Sequence, residues 1–238
     1  MQQAYRVLRV VAEAQTIRMV LTLSPDELML KELCTACTDL HTEKSSGVKA
    51  VVLDFRTISD THSTHSQSTQ NETVSPEIIN VASAAVRALE PPVLAVVRST
   101  VSAAASKLIG TADLALVARN AVLSVQEMGD SSHDTLTGKQ ALRLGYVTWS
   151  VPANDVDAEM ERVLAMLREK SAVALRLTKA SVRLGSAQTT RRPQDAAARL
   201  QALKQVNDFY LAQVMQTADA AEGLHAFLEK RKPRWKNR

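Results

Sequence analysis

The sequence predicts an α/β fold followed by a helical region, on two observations. Short apolar runs of strand length alternate with helical patterns over the first 150 residues, and beyond Val151 only helical patterns remain. The reading divides the chain into a core over residues 1–150 and a helical C-terminal region over residues 151–238.

Residues 5–23 mix β-branched runs with polar interruptions and read as two strands around a turn near Glu13 to Gln15. Ser24, Pro25, Asp26 and Glu27 supply an N-cap, a proline at the first helical position and an early carboxylate, so a helix is expected from there to about His41. Residues 48–55, V-K-A-V-V-L-D-F, form a mostly apolar run, as a buried parallel strand requires. Residues 61–75 are polar and aperiodic and predict a loop; its His62 and His65 read as solvated. A helix over 76–89, a Pro91-Pro92 stop and a strand over 93–97 repeat the strand–helix unit. The alanine-rich stretch 101–110 reads as a buried helix, and 113–118 and 121–125 as short strands. Asn154 is expected to cap a helix to about Lys170, with further helices over 172–184 and 196–215.

Composition narrows the function classes. With 45% apolar residues but only 3% aromatics, the core must be built from aliphatics. No apolar run reaches the roughly 18 residues of a membrane helix, and the N-terminus lacks the apolar stretch of a signal peptide, which predicts a cytoplasmic protein without a membrane partner. Residues 229–238 hold six Lys or Arg against Glu229, more positive charge than the whole chain's net +4. The basic character therefore belongs to the tail, and without interleaved stacking aromatics it does not predict nucleic-acid binding. Cys34 and Cys37 form a single C-x-x-C with too few companions for a zinc site, so they read as small apolar residues of one helix face and no metal is expected.

The last 22 residues carry the most specific pattern. Thr217, Asp219, Glu222, Gly223, Ala226, Phe227, Glu229, Lys230, Arg231 and Pro233 fit the order T-x-D-x-x-E-G-x-x-A-F-x-E-K-R-x-P-x-F, with Trp235 at the last aromatic. This resembles the C-terminal signature of the enoyl-CoA hydratase/isomerase, or crotonase, superfamily. The segments V-K-A-V-V-L-D-F, P-P-V-L-A-V-V, T-A-D-L-A-L-V-A and L-T-G-K-Q-A-L-R-L-G-Y-V extend the likeness over nearly the whole chain. The resemblance implies a crotonase-like ββα spiral core with a helical C-terminal trimerisation region, an acyl-CoA ligand, no other cofactor, and a homotrimer or dimer of trimers.

It also implies a site. Family members hold a thioester enolate with two backbone N–H groups, one at a helix N-terminus where the dipole favours negative charge. The matching stretch places Ala103, Ala104 and Ala105 on a glycine triplet, with Ala104 as the helix donor and Ser59, before Asp60, on the first donor position. Lys107 stands where hydratases carry their first catalytic glutamate, and Glu127, in L-S-V-Q-E-M-G, on the second. Lys230 matches a lysine that reaches CoA phosphates, sometimes across a trimer interface.

The sequence departs from the family in having only D-S-S-H-D-T, with His133, between Gly129 and Leu136, where relatives place a longer segment walling the acyl pocket. Three readings follow. One is an acyl-CoA enzyme using Glu127 as its single base; moving a double bond needs one group to take and return a proton, so isomerase-type chemistry survives Lys107 better than hydration does. The second is a catalytically inactive binding or scaffolding subunit, in which Lys107 is structural or sets pocket electrostatics and pairs with Glu127. The third is a basic-tailed interaction protein without a CoA role.

Overall fold

The computed structural model describes residues 5–42, 47–57, 74–126, 133–189 and 196–237. The chain opens on a hairpin, β1 (Arg9–Glu13) and β2 (Thr16–Thr22), joined by Ala14 and Gln15, both at positive φ (22° and 69°). A two-residue connection of this kind follows the right-handed twist of the strands it joins. Helix α1 (Glu27–Thr42) starts later than the sequence suggested. Its cap is Asp26, whose Oδ1 accepts the Met29 N–H at 2.7 Å, so Ser24 is not the N-cap and Pro25 precedes the helix.

Strand β3 (Ala50–Arg56), helix α2 (Pro76–Ala88) and strand β4 (Val93–Val97) follow. Ser75 caps α2 and Pro76 opens it, as proline at the first helical position should. The short helix α3 (Ala103–Ile109) leads to β5 (Leu114–Ala118). An antiparallel pair, β6 (Val122–Gln126) and β7 (His133–Thr137), stands outside the main sheet and runs directly into α4 (Gly138–Arg143). Strand β8 (Trp149–Val151) completes a six-stranded sheet of order β1-β2-β3-β4-β5-β8, antiparallel at β1–β2 and parallel elsewhere.

The remaining elements are helical: α5 (Val156–Arg168), α6 (Ala172–Thr189), α7 (Ala196–Phe209) and α8 (Ala218–Leu228). Asn154 does not cap α5; it lies inside a 3-10 turn, Ala153–Asp155. A π-helical turn, Tyr210–Val214, follows α7, so the helix expected over 196–215 changes its winding before its end.

The core is aliphatic, as 3% aromatics require. Met19, Leu21, Leu30, Leu33, Leu53 and Leu94 are buried in one cluster with Phe55, the only fully buried aromatic among the described residues, and each fully buried aliphatic contributes about 1.5–3 kcal/mol. Lys49, Asp54, Lys179 and Asp219 are buried charged residues that break this pattern, Asp54 the most completely. Asp54 in β3 is wholly enclosed, and its carboxylate accepts Arg56 Nε at 2.8 Å and Arg98 Nη1, with Arg18 Nη1 at 3.7 Å. Asp157 and Glu161 on α5 extend the network over the same sheet face. The Arg98 hydrogen bond holds the Asp157 carboxyl below its ordinary range against the opposing effect of burial. Cys34 is half-buried and Cys37 buried, both free, and burial pushes the Cys37 thiol up to about 12.

The C-terminal motif is a clasp. Thr217 Oγ1 caps α8 through the Ala220 N–H. Buried Asp219 accepts Ser171 Oγ, the Lys236 N–H at 2.7 Å and the Asn237 N–H at 2.9 Å, while Asn237 Oδ1 accepts the Ala172 N–H. Glu222 takes both Arg231 Nη groups, at 2.6 and 3.1 Å, and the Arg234 N–H at 2.7 Å. Trp235 Nε1 donates to the Glu169 carbonyl, and its ring passes Gly223 at the distance where a Cβ would just touch it. The conspicuous residues of the motif therefore fold the tail back on α8 and pin it to the α5–α6 connection.

Candidate active site

Helix α3 is positioned by its own first turn. Ser102 Oγ accepts the Ala105 N–H at 3.3 Å, and the Ser102 N–H donates to Leu23 O beyond β2 at 2.9 Å. Val101 N–H bonds to Val122 O, and Ser106 Oγ accepts the Ser124 N–H at 2.9 Å. The helix start is thus fixed to the end of β2 and to β6 at once. The first N–H groups of a helix have no intrahelical acceptor. Ser102 caps Ala105, so the amides of Ala103 and Ala104 are left without an acceptor among the described residues. Alanine keeps the amide that glycine would supply; its Cβ only narrows the approach.

A cavity of about 920 Å³ opens beside this turn, between α2, α3, β6 and the turn after α4. Asn80, Ser83 and Arg87 come from one face of α2, at the i, i+3, i+7 spacing that puts residues in line on a helix. Ala103, Ser106 and Lys107 face them from α3, with Leu123 and Ser124 from β6 and Tyr146 and Val147 closing one side. Lys107 Nζ crosses the gap and donates to Asn80 Oδ1 at 2.7 Å. Ser83 Oγ is closed off from solvent with no partner among the described residues, a state that costs about 1–3 kcal/mol unless a polar atom reaches it.

The structure brings together part of the site read from the sequence. Lys107 lines the cavity, bonded to Asn80. Ala104, half-buried, is adjacent to the lining residue Ala103 but does not itself line the cavity. Ser59 and Glu127 lie outside the described residues, as do the side chain of His133 and most of the loop over 61–75, so the Lys107–Glu127 pair has no described geometry. Lys230, in the turn after α8 with φ 53°, is exposed and is not among the residues lining this cavity. Asn80, Ser83, Arg87 and Tyr146 escaped the sequence reading. The spacing on α2 could have grouped the first three, but nothing in the sequence pairs α2 with α3.

Residues 132–238 match the enoyl-CoA hydratase/isomerase family. No curated protein matches the sequence. Among solved structures, an enoyl-CoA hydratase of Mycobacterium smegmatis aligns at 23% identity with a TM-score of 0.71, over 96% of this chain and 98% of that one. An enoyl-CoA hydratase from Bacillus anthracis aligns at 19% identity and TM-score 0.73, over 98% and 100%. Human enoyl coenzyme A hydratase domain-containing protein 3 aligns at 19% identity and TM-score 0.74, over 97% and 100%. The sequence likeness to the enoyl-CoA hydratase/isomerase family is thus carried by residues 132–238, while along nearly its whole length the chain has the fold of these solved structures.

Proposed function

We propose that this protein binds an acyl-CoA thioester with its acyl group in the cavity between α2 and α3 and forms the thioester enolate there. The observation that carries the reading is the unpaired amide pair of Ala103 and Ala104 at the cavity's edge, in a chain with this fold. An enolate oxygen placed on the Ala104 amide would be held by a preorganised donor, and each such donor is worth about 10²–10³ in rate. Ser59, after β3, is the second donor in this reading. Glu127 takes the proton from the carbon beside the thioester carbonyl and returns it one bond along, which is isomerase-type chemistry; hydration, which relatives of this kind perform with two carboxylates, is slow with Lys107 in the first position.

Lys107 also favours a second reading. It sits on Asn80 rather than carrying a carboxylate, an arrangement compatible with a catalytically inactive subunit that binds or scaffolds acyl-CoA. Both readings include assembly into trimers in the cytoplasm. The surface of the C-terminal helices supports assembly: Leu200, Leu203, Leu211, Leu224, Phe227 and Leu228 are exposed, Phe227 at 79%. Patches of this kind mark contact surfaces. Lys230, beside Phe227, would then meet the CoA phosphates of a neighbouring protomer.

The test is incubation with 2-enoyl- and 3-enoyl-CoAs in deuterated water, followed by mass spectrometry. Deuterium uptake or a shifted double bond, abolished in Glu127→Gln, supports the enzyme. Binding without exchange on any thioester supports the inactive subunit, and absence of CoA binding removes both.

A further inference from the structure

The charged side chains that line the cavity are both cations. Arg87 on α2 and Lys107 on α3 both line it, and neither has a carboxylate partner among the described residues; no Asp or Glu is found among the described lining residues. Lys107 spends one N–H on Asn80 Oδ1, which occupies the acceptor end of that amide and leaves its NH2 group for anything in the cavity. Ser83 Oγ, without a partner among the described residues, stands on the α2 face between Asn80 and Arg87. Some cations elsewhere in the fold do meet carboxylates: Arg18, Arg56 and Arg98 share Asp54, Lys179 meets Asp113 at 2.6 Å, and Arg231 meets Glu222.

We propose that the cavity selects acyl groups that end in a carboxylate, with Lys107 and Arg87 as the specificity-determining pair. This rests on the thioester reading above and adds the substrate class. A carboxylate between the two helices would receive Lys107 Nζ and the fork of Arg87, geometry for which guanidinium is suited. An unbranched aliphatic acyl group in the same place would bury donors without satisfying them. With Glu127 counted as the base, two cations against one carboxylate still leave a net positive charge.

The experiment is calorimetric titration of the full chain with glutaryl-CoA, succinyl-CoA and butyryl-CoA, in the wild type and in Lys107→Met, Arg87→Met and Lys107→Arg. At least one dicarboxylic thioester should bind about tenfold more tightly than butyryl-CoA, since one charge-assisted hydrogen bond is worth that much. Each Met variant should erase most of the preference by weakening the dicarboxylic thioesters without weakening butyryl-CoA, whose acyl group no longer covers an unsatisfied donor, and Lys107→Arg should retain the preference. Equal binding of all three thioesters by the wild type, or a preference that survives in both Met variants, overturns the inference while leaving the thioester reading standing. If no thioester binds, the CoA reading has failed, and titration with free glutarate decides the rest: saturable binding lost in Lys107→Met upholds the carboxylate site, and no binding removes it.

Discussion

Asp219 on α8 and Asn237 in the tail are joined by a 2.9 Å hydrogen bond from the Asn237 backbone N–H, while the side-chain Oδ1 of Asn237 accepts the Ala172 N–H in the first turn of α6. The bond ties together three parts of the chain that the sequence motif presents only as a list of letters. Asp219→Ala would orphan the Ser171 hydroxyl and two tail amides, at an expected cost of about 3 kcal/mol. Chemical denaturation of the variant checks this, together with proteolysis of the released tail.

The clasp should also respond to acid. The hydrogen bonds from Arg231, then the Arg234 amide, hold the Glu222 carboxyl down at about 2. A depressed carboxyl contributes stability that is complete above its unfolded value of about 4.5 and is lost as pH falls through about 2. Trp235 fluorescence should therefore begin to change below about pH 4.5 and complete its change near pH 2, with Glu222→Gln showing the altered signal already at neutral pH.

Gly138 is required for a close approach. A Cβ there would lie 2.2 Å from the Ala118 carbonyl oxygen, where the start of α4 docks on the turn after β5 through the Gly138 N–H to Ala121 O and the Lys139 N–H to Arg119 O. Gly138→Ala should destabilise by about 1–3 kcal/mol through this overpacking. Gly110→Ala, whose Cβ meets nothing closer than 3.5 Å, should be near neutral in the same thermal melts.

Asp54→Asn should be among the most damaging polar substitutions. It leaves Arg18, Arg56 and Arg98 gathered on a neutral amide; breaking a buried ion pair costs about 3–5 kcal/mol. Equilibrium unfolding measures the loss directly.

The proposed trimer predicts that Phe227→Asp, at the exposed end of α8, reduces the mass in solution without loss of helix content. Light scattering after gel filtration reports the mass, and circular dichroism the fold. A monomeric wild type would remove the trimer from the proposal, and an oligomer whose mass is unchanged by the substitution would remove this surface from it.

The sequence made regular elements legible wherever period and punctuation agreed. The apolar run over 93–97 is β4 to the residue, and the hairpin turns at Ala14 and Gln15. Caps were legible as a cluster but not as a residue, because Asp26 reaches the Met29 amide where Ser24 does not. The elements β7, α4 and β8 are three to six residues long, too short to display a period. Asp54 reads as an interruption in an apolar strand because its partner Arg98 is 44 positions away. The same holds for the site: Lys107 was legible as a departure from the family pattern, but its partner Asn80, 27 positions earlier, is supplied by the packing of α2 on α3.

The most direct test of the account is a structure of the protein with a non-reactive acyl-CoA analogue. The account predicts the acyl group between α2 and α3, with the thioester oxygen about 3 Å from the Ala104 amide nitrogen. A thioester oxygen held away from the first turn of α3, or an acyl group outside the cavity lined by Asn80 and Lys107, would contradict it.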